Sequence, residues 1–112
     1  CFGYRLEMDG KAIAYCTDTG PCENFLKLAK NADLLITECS LLPGTKISKF
    51  WPHLNPETAA RLAKEAGAKK LALSHFDANK YRSAALRKVA LAKARRTFKN
   101  TIAANDGLVV EI

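Results

Sequence analysis

HLNPETAARLAKEAGAKKLALSH, residues 53–75, reads as a helix followed by a strand, with clear punctuation at each boundary. Asn55 is a favoured N-cap. Pro56 suits the first helical position, where its missing N–H costs nothing, and Glu57 places negative charge at the positive helix terminus. Ala59, Leu62, Ala63 and Ala66 recur at helical spacing and form one apolar stripe. Gly67 supplies the C-terminal stop. The apolar run after it predicts a buried strand ending in His75.

The same grammar extends outward. CFGYRLEMDGKAIAYC, residues 1–16, predicts a β-hairpin: Phe2, Tyr4, Leu6 and Met8 alternate with other residues, and Asp9-Gly10 is a favoured two-residue turn. Pro21 opens a helical stretch whose apolar face holds Phe25, Leu26, Leu28 and Ala29. ADLLITECS predicts a short buried strand, and a loop with Pro43, Gly44 and several lysines comes next. Residues 79–98 predict a long, basic, amphipathic helix. TIAA and GLVVEI predict two closing strands around Asn105-Asp106-Gly107. The expected order is β-β-α-β-α-β-α-β-β, an α/β layered domain.

Composition bounds the function. The chain has 112 residues, 48% of them hydrophobic and 26% charged, as in a globular domain. No apolar run approaches the roughly 20 residues that span a bilayer, so no membrane partner is expected. Cys1, Cys16, Cys22 and Cys39 form no CxxC pair. Their even count would permit a disulfide framework, but the lysine-rich helical sequence favours reduced, buried thiols and a cytoplasmic location. A first residue of cysteine rather than methionine suggests a fragment, a processed chain or a trimmed one.

The net charge of +7 is concentrated in one segment. Residues 78–105 contain Lys80, Arg82, Arg87, Lys88, Lys93, Arg95, Arg96 and Lys99 and no acid. The remainder balances ten basic residues against eleven acidic ones. The basic 80–99 stretch, with Arg87, Lys88, Arg95 and Arg96 as its contacts, is a candidate surface for RNA phosphates, or simply a solvated helix face.

Three strands end in polar side chains: Asp18 after AIAYCT, Glu38 after LLIT and His75 after LALS. His53 precedes the next helix. Function gathers at the C-terminal ends of strands in open α/β sheets. Aspartate plus histidine is ligand chemistry for zinc, manganese or iron, and a carboxylate beside a histidine suits proton transfer. Simpler readings stand beside these. Asp18 could cap the following helix, Glu38 could be a surface carboxylate, His53 a loop residue, and His75 a satisfied strand-end histidine.

DGKAIAYCTDTGPCENFLKLAKNADLLITECSL, then HLNPETAARLAKEAGAKKLALSHFD, then IAANDGLVVEI, together resemble the C-terminal half of metallo-β-lactamase-fold hydrolases, in the ribonuclease Z-like and phosphodiesterase branch. The resemblance covers nearly the whole chain, in order. It implies half of an αββα sandwich. It implies that Asp18 bridges two divalent metal ions, most naturally zinc, with manganese or iron as alternatives. His75 then matches the last metal-ligand histidine. His53 resembles the histidine of an HST or HLT motif that stabilises or protonates the leaving group, and Glu38 the acid of an HEA motif that orients it. The mechanism implied is attack on phosphorus by a metal-bound hydroxide, in RNA or another phosphodiester.

The chain departs from the pattern at four positions: Thr17 for glycine, Thr37 for the HEA histidine, Cys39 for its alanine, and Leu54 for serine. These favour a phosphodiesterase label broader than transfer-RNA processing. The HxHxDH motif of the family's N-terminal half is not in this sequence. The resemblance therefore implies a single partial domain over residues 1–112, inactive alone. Its partner would be the missing half or a neighbouring subunit, as in a homo-oligomer, covering an exposed apolar sheet face. The rival class is a non-catalytic nucleic-acid-binding or assembly domain using the basic segment.

Overall fold

In the computed structural model, which describes residues 3–112, Asp9 and Gly10 both adopt left-handed backbone (φ 52° and 75°). Their turn pairs β1 (Tyr4–Met8) antiparallel with β2 (Lys11–Cys16). This is the hairpin that Asp-Gly predicts, because positive φ at both central residues matches the strand twist. Phe2 and Cys1 lie outside the described residues.

From β2 onward the chain alternates: α1 (Glu23–Ala29), β3 (Leu34–Glu38), α2 (Pro56–Ala66), β4 (Leu71–Ser74), α3 (Ala84–Arg95) and β5 (Thr101–Ala103). The five strands form one sheet in the order β1-β2-β3-β4-β5, with β2 to β5 parallel. The α2 boundaries match their sequence signals. Asn55 accepts from the Thr58 N–H at 2.8 Å, Pro56 opens the helix, and Gly67 closes it at φ 73°.

α2 packs against both α1 and α3, so the three helices form one layer on one face of the sheet. Beneath them lie Ala14, Cys16, Leu35, Leu71 and Leu73, against Phe25, Ala29, Ala59, Leu62, Ala63, Ala90 and Ala94. Burying each leucine contributes about 1.5–3 kcal/mol, and the many alanines let the helices approach closely. The opposite face is open. Strand register places Tyr4 beside Tyr15 and Leu6 beside Ile13, and Tyr4, Leu6, Met8 and Tyr15 remain 62%, 68%, 74% and 41% exposed. The layer arrangement is thus one helical and one strand layer, half of the αββα sandwich.

Two elements differ from expectation. The basic helix runs over Ala84–Arg95, not 79–98. Asp77 ties down residues 79–81 in a separate turn, accepting from the N–H groups of Asn79, Lys80 and Tyr81. Tyr81 is buried, donating to the Leu41 carbonyl at 2.7 Å. Only after that tether does Ser83 cap the helix through the Leu86 N–H. At the far end, Thr97 and Phe98 fold back onto Ala94. The closing strand expected over 107–112 is absent among the described residues. The Leu108 N–H reaches the Asn105 carbonyl at 3.0 Å to form the turn, but no strand lies alongside to pair residues 109–112, and Val109 is 84% exposed.

Asp33 fastens the end of the sheet opposite the strand C-termini. Its Oδ2 accepts from the Ala12 N–H at 2.8 Å and its Oδ1 from Lys69 Nζ at 3.0 Å. The Ala12 N–H first, then Lys69, holds this carboxyl below its ordinary value of 3.8. A depressed folded-state value gives stability that is fully present above 3.8 and lost as pH falls below it. Asp33→Asn is therefore expected to be less stable than wild type at neutral pH and to lose less on acidification below 3.8, read by urea denaturation across pH. Parallel pH profiles for the two proteins would refute this role.

A candidate active site at the strand ends

Parallel register aligns three strand termini. Cys16 lies beside Thr37, and Glu38 beside Ser74, so Asp18, Glu38 and His75 emerge at one edge of the sheet. Asp18 and His75 both have left-handed backbone, at φ 53° and 50°. For residues other than glycine this conformation costs on the order of 1 kcal/mol or more each, and such strain clusters at functional sites. The helix-cap reading of Asp18 fails: Cys22 occupies the N-cap of α1, with no side-chain cap bond. Instead Asp18 Oδ1 faces His75 Nε2 at 3.7 Å, with both side chains about half exposed.

Glu38 is no surface carboxylate, being fully buried. Its Oε1 accepts from the Thr19 N–H at 2.7 Å, and its Oε2 from the Leu54 N–H at 3.1 Å. His53 Nδ1 lies 2.9 Å from Oε2 and 3.1 Å from Oε1. A carboxylate accepts only, so Nδ1 carries the proton and Nε2 is left for another partner. Glu38 thus binds the loop after β2 to the loop before α2 and fixes the orientation of the imidazole.

The four departures from the family pattern acquire physical roles here. Leu54 offers its backbone N–H to Glu38 while its side chain is fully buried in the core, so serine is not needed for that bond. Thr37 is fully buried and, from the register, on the helix-facing side of β3. Its hydroxyl has no partner among the described residues. Cys39 lies 3.5 Å from the Tyr81 hydroxyl, and burial pushes its thiol up to about 12. Burial likewise pushes Cys16 up to about 11. Protonated thiols are poor nucleophiles, so burial argues against a catalytic thiolate at either position. Thr17 follows β2 at the mouth of the Asp18 loop, partly exposed. Cys16, Cys22 and Cys39 are all free.

The donor set can be tested for metal. Donor atoms of Asp18, Glu38 and His53 lie within 4.8 Å of one another. Glu38 is already saturated by three donors, so its role is positioning rather than ligation. Asp18 and His75 have no competing side-chain hydrogen bond among the described residues and turn an oxygen and a nitrogen toward each other. That pairing fits a divalent ion such as zinc, manganese or iron. Catalytic zinc usually draws three protein ligands, so this pair supplies part of a set.

The four basic candidates separate. Arg87 lies 5.1 Å from the centre of the Phe76 ring, immediately after His75, and lines with Lys88, Arg82 and Asn105 a cavity of about 400 Å³ at the same sheet edge. Arg95 and Arg96 lie roughly 13 Å further along α3, given a rise of 1.5 Å per residue. Arg95 Nε is occupied by the Thr101 carbonyl at 2.9 Å. Sequence reasoning missed Arg82 as a neighbour of this pair. It also passed over Phe50 and Trp51, which are 97% and 75% exposed beside His53. The run KFWPH was the available signal.

Comparison with known proteins bears on the family and the fold. The family described as Beta-lactamase superfamily domain matches residues 1–76. The ribonuclease Z of Protochlamydia amoebophila is 40% identical over 98 residues, covering 87% of this chain and 31% of that protein. That of Methanothermobacter thermautotrophicus is 36% identical over 104 residues, covering 92% and 33%. The chain therefore spans about a third of the length of the relatives it matches, in their C-terminal part. Among solved structures, the metallo-beta-lactamase fold protein YhfI from Bacillus subtilis superposes with a TM-score of 0.82 at 28% identity, covering 96% of this chain and 43% of its own. Human tRNase Z, short form, gives 0.71 at 27%, covering 98% and 38%. Zinc-bound PqqB from Methylobacterium extorquens shares the fold at 0.70 and 19% identity, covering 98% and 43%. Among the described residues, no helix is long and apolar enough to cross a membrane.

Because Glu38→Ala strands two backbone N–H groups and the His53 Nδ1–H, it is expected to destabilise the chain by about 3 kcal/mol or more. Glu38→Gln keeps one acceptor and should cost roughly half as much. Urea denaturation measures both. A cost below about 1 kcal/mol for the alanine variant would show that Glu38 is not the fastening point.

Proposed function

This chain belongs to the beta-lactamase superfamily of domains, and on that premise we propose that it is part of a metal-dependent phosphodiesterase of the ribonuclease Z type. One observation carries the reading. Asp18 meets His75 at 3.7 Å, and the Glu38-braced His53 lies within 4.8 Å of Asp18. Asp18 and His75 would hold divalent ions, zinc first, with manganese or iron also matching an oxygen and nitrogen set. Bound there, the ions supply Lewis-acid polarisation of the phosphoryl group and of water.

This chain's own residues do the rest. Glu38 holds the His53 proton at Nδ1, which aims Nε2 outward. Protonated at Nε2, His53 delivers that proton to the departing oxygen, a general-acid role worth typically 10²–10⁴-fold. Arg82, Arg87 and Lys88 offer phosphate contacts next to the site, which suits RNA. The open face of Tyr4, Leu6, Met8 and Tyr15 takes the second sheet of the sandwich, from the complementary half or from a neighbouring copy. The further ligands that Asp18 and His75 need come from there too, so the 112 residues alone do not turn over.

Assays with bis(p-nitrophenyl) phosphate plus zinc or manganese test the reading. In the full-length protein, Asp18→Asn and His75→Asn are expected to lose at least about 10³-fold in kcat/KM. Asparagine tolerates the left-handed backbone, so the loss reports the ligand rather than the fold. His53→Ala should lose about 10²–10⁴-fold. Absence of turnover in the full-length protein would sink the hydrolase reading and favour a binding or assembly domain. Turnover by the 112 residues alone would overturn the need for outside ligands.

A second measurement separates the basic residues. Neutralising Arg87 and Lys88 together should lower the slope of log RNA affinity against log salt by about 1.4, as for two single-strand phosphate contacts. Neutralising Arg95 and Arg96 should change it less. Equal effects would spread the contact over the whole helix.

A further inference from the structure

The loop from Leu42 to His53 is built rather than loose. The Asn55 side chain donates to the Thr45 carbonyl at 2.7 Å, and the Gly44 N–H reaches Glu57 Oε1 at 3.2 Å, so the start of α2 anchors its base. Ser48 Oγ accepts from the N–H groups of both Phe50 and Trp51, at 3.2 and 3.3 Å. Pro52 presses on Gly20: a Cβ there would fall 2.4 Å from the proline Cβ. The aromatic pair is thereby fixed to the loop that carries Asp18.

Among the described residues, little covers these rings. Phe50 is 97% and Trp51 75% exposed, whereas large aromatics are normally at least half covered. The Trp51 ring lies 6.0 Å from the His53 ring. Lys46 and Lys49 are exposed on the same loop, and residues 39–56 contain no acid. Adjacent aromatic faces flanked by cations match the requirements of single-stranded nucleic acid, whose bases stack and whose phosphates need positive charge.

We propose that Phe50 and Trp51 form a stacking platform for the nucleobase on the leaving-group side of the scissile phosphodiester, with Lys46 and Lys49 contacting the adjoining phosphates. The assignment to that side comes from His53, and it rests on the phosphodiesterase reading above. The platform selects a nucleotide over a bare diester, while the strand-end residues act on the phosphate.

Trp51 is the only tryptophan in these 112 residues, and in the full-length protein its signal is isolated by difference against Trp51→Phe. The test titrates the full-length protein, or this chain, with hexa-adenylate and with an abasic ribose-phosphate chain of equal length at low salt. Hexa-adenylate is expected to quench Trp51 and the abasic chain is not. Phe50→Ala should weaken hexa-adenylate by about 5- to 100-fold, the range for one lost base–aromatic stack. Trp51→Ala should do the same by anisotropy of labelled RNA, and Trp51→Phe should restore most of the affinity. Both side chains are exposed, and circular dichroism checks that the variants fold.

Equal binding of the RNA and abasic chains would overturn the platform. So would unchanged RNA affinity in Phe50→Ala and Trp51→Ala, or a blue-shifted, unquenchable Trp51 in the free protein, which would mean that protein covers the rings. Hydrolysis plays no part in this titration. Failure of the phosphodiesterase reading is seen instead in the bis(p-nitrophenyl) phosphate assay, so the two can fail separately.

Discussion

A carboxylate removed from water costs several kcal/mol unless donors surround it, and Glu38 is surrounded. Thr19, His53 and Leu54 bring three donors from two loops to a side chain with no exposed surface. Because the Thr19 contact sets the loop that holds Asp18, and the Leu54 contact sets the approach to α2, one buried acid organises both sides of the site. A buried acid with every oxygen satisfied has little freedom to shift without breaking several bonds at once. His53 inherits that rigidity: its ring is held at one nitrogen and available at the other.

The separation of roles comes from geometry rather than residue type. Two acids sit at adjacent strand ends, yet only Asp18 has unclaimed oxygens. Two histidines lie nearby, yet only His53 is braced by a buried carboxylate while His75 faces an exposed one. The same two residue types therefore occur once as an exposed Asp18–His75 pair and once as a pair built on the buried Glu38 carboxylate. The basic cavity by Arg87 and the exposed aromatic pair by His53 lie along this same edge.

Features written in adjacent residues were legible. Asn55, Pro56 and Gly67 mark α2 because caps and stops act within a few residues, and Asp9-Gly10 marks the hairpin for the same reason. The edge position of Asp18, Glu38 and His75 was legible because an apolar run fixes where a strand ends. Features that depend on distant partners were not. Tyr81 shortens the basic helix because its hydroxyl seeks the Leu41 carbonyl, forty residues away in sequence. GLVVEI has strand composition but lacks a neighbour to pair with. The donors to Glu38 come from fifteen to nineteen residues away, two of them backbone N–H groups that no side-chain pattern announces.

The sheet has a further property: its spatial order is its sequence order, β1 to β5 without a skip. Each strand docks beside the one made just before it, so no pairing waits for a strand made later. A ribosome releasing this chain can therefore let it assemble strand by strand. These residues' share of the site is complete as soon as residue 75 joins β4 to the growing edge, and α3 and β5 then cover the side that is left. Synthesis and structure run in the same direction, and the binding edge takes shape before the last third of these 112 residues has emerged.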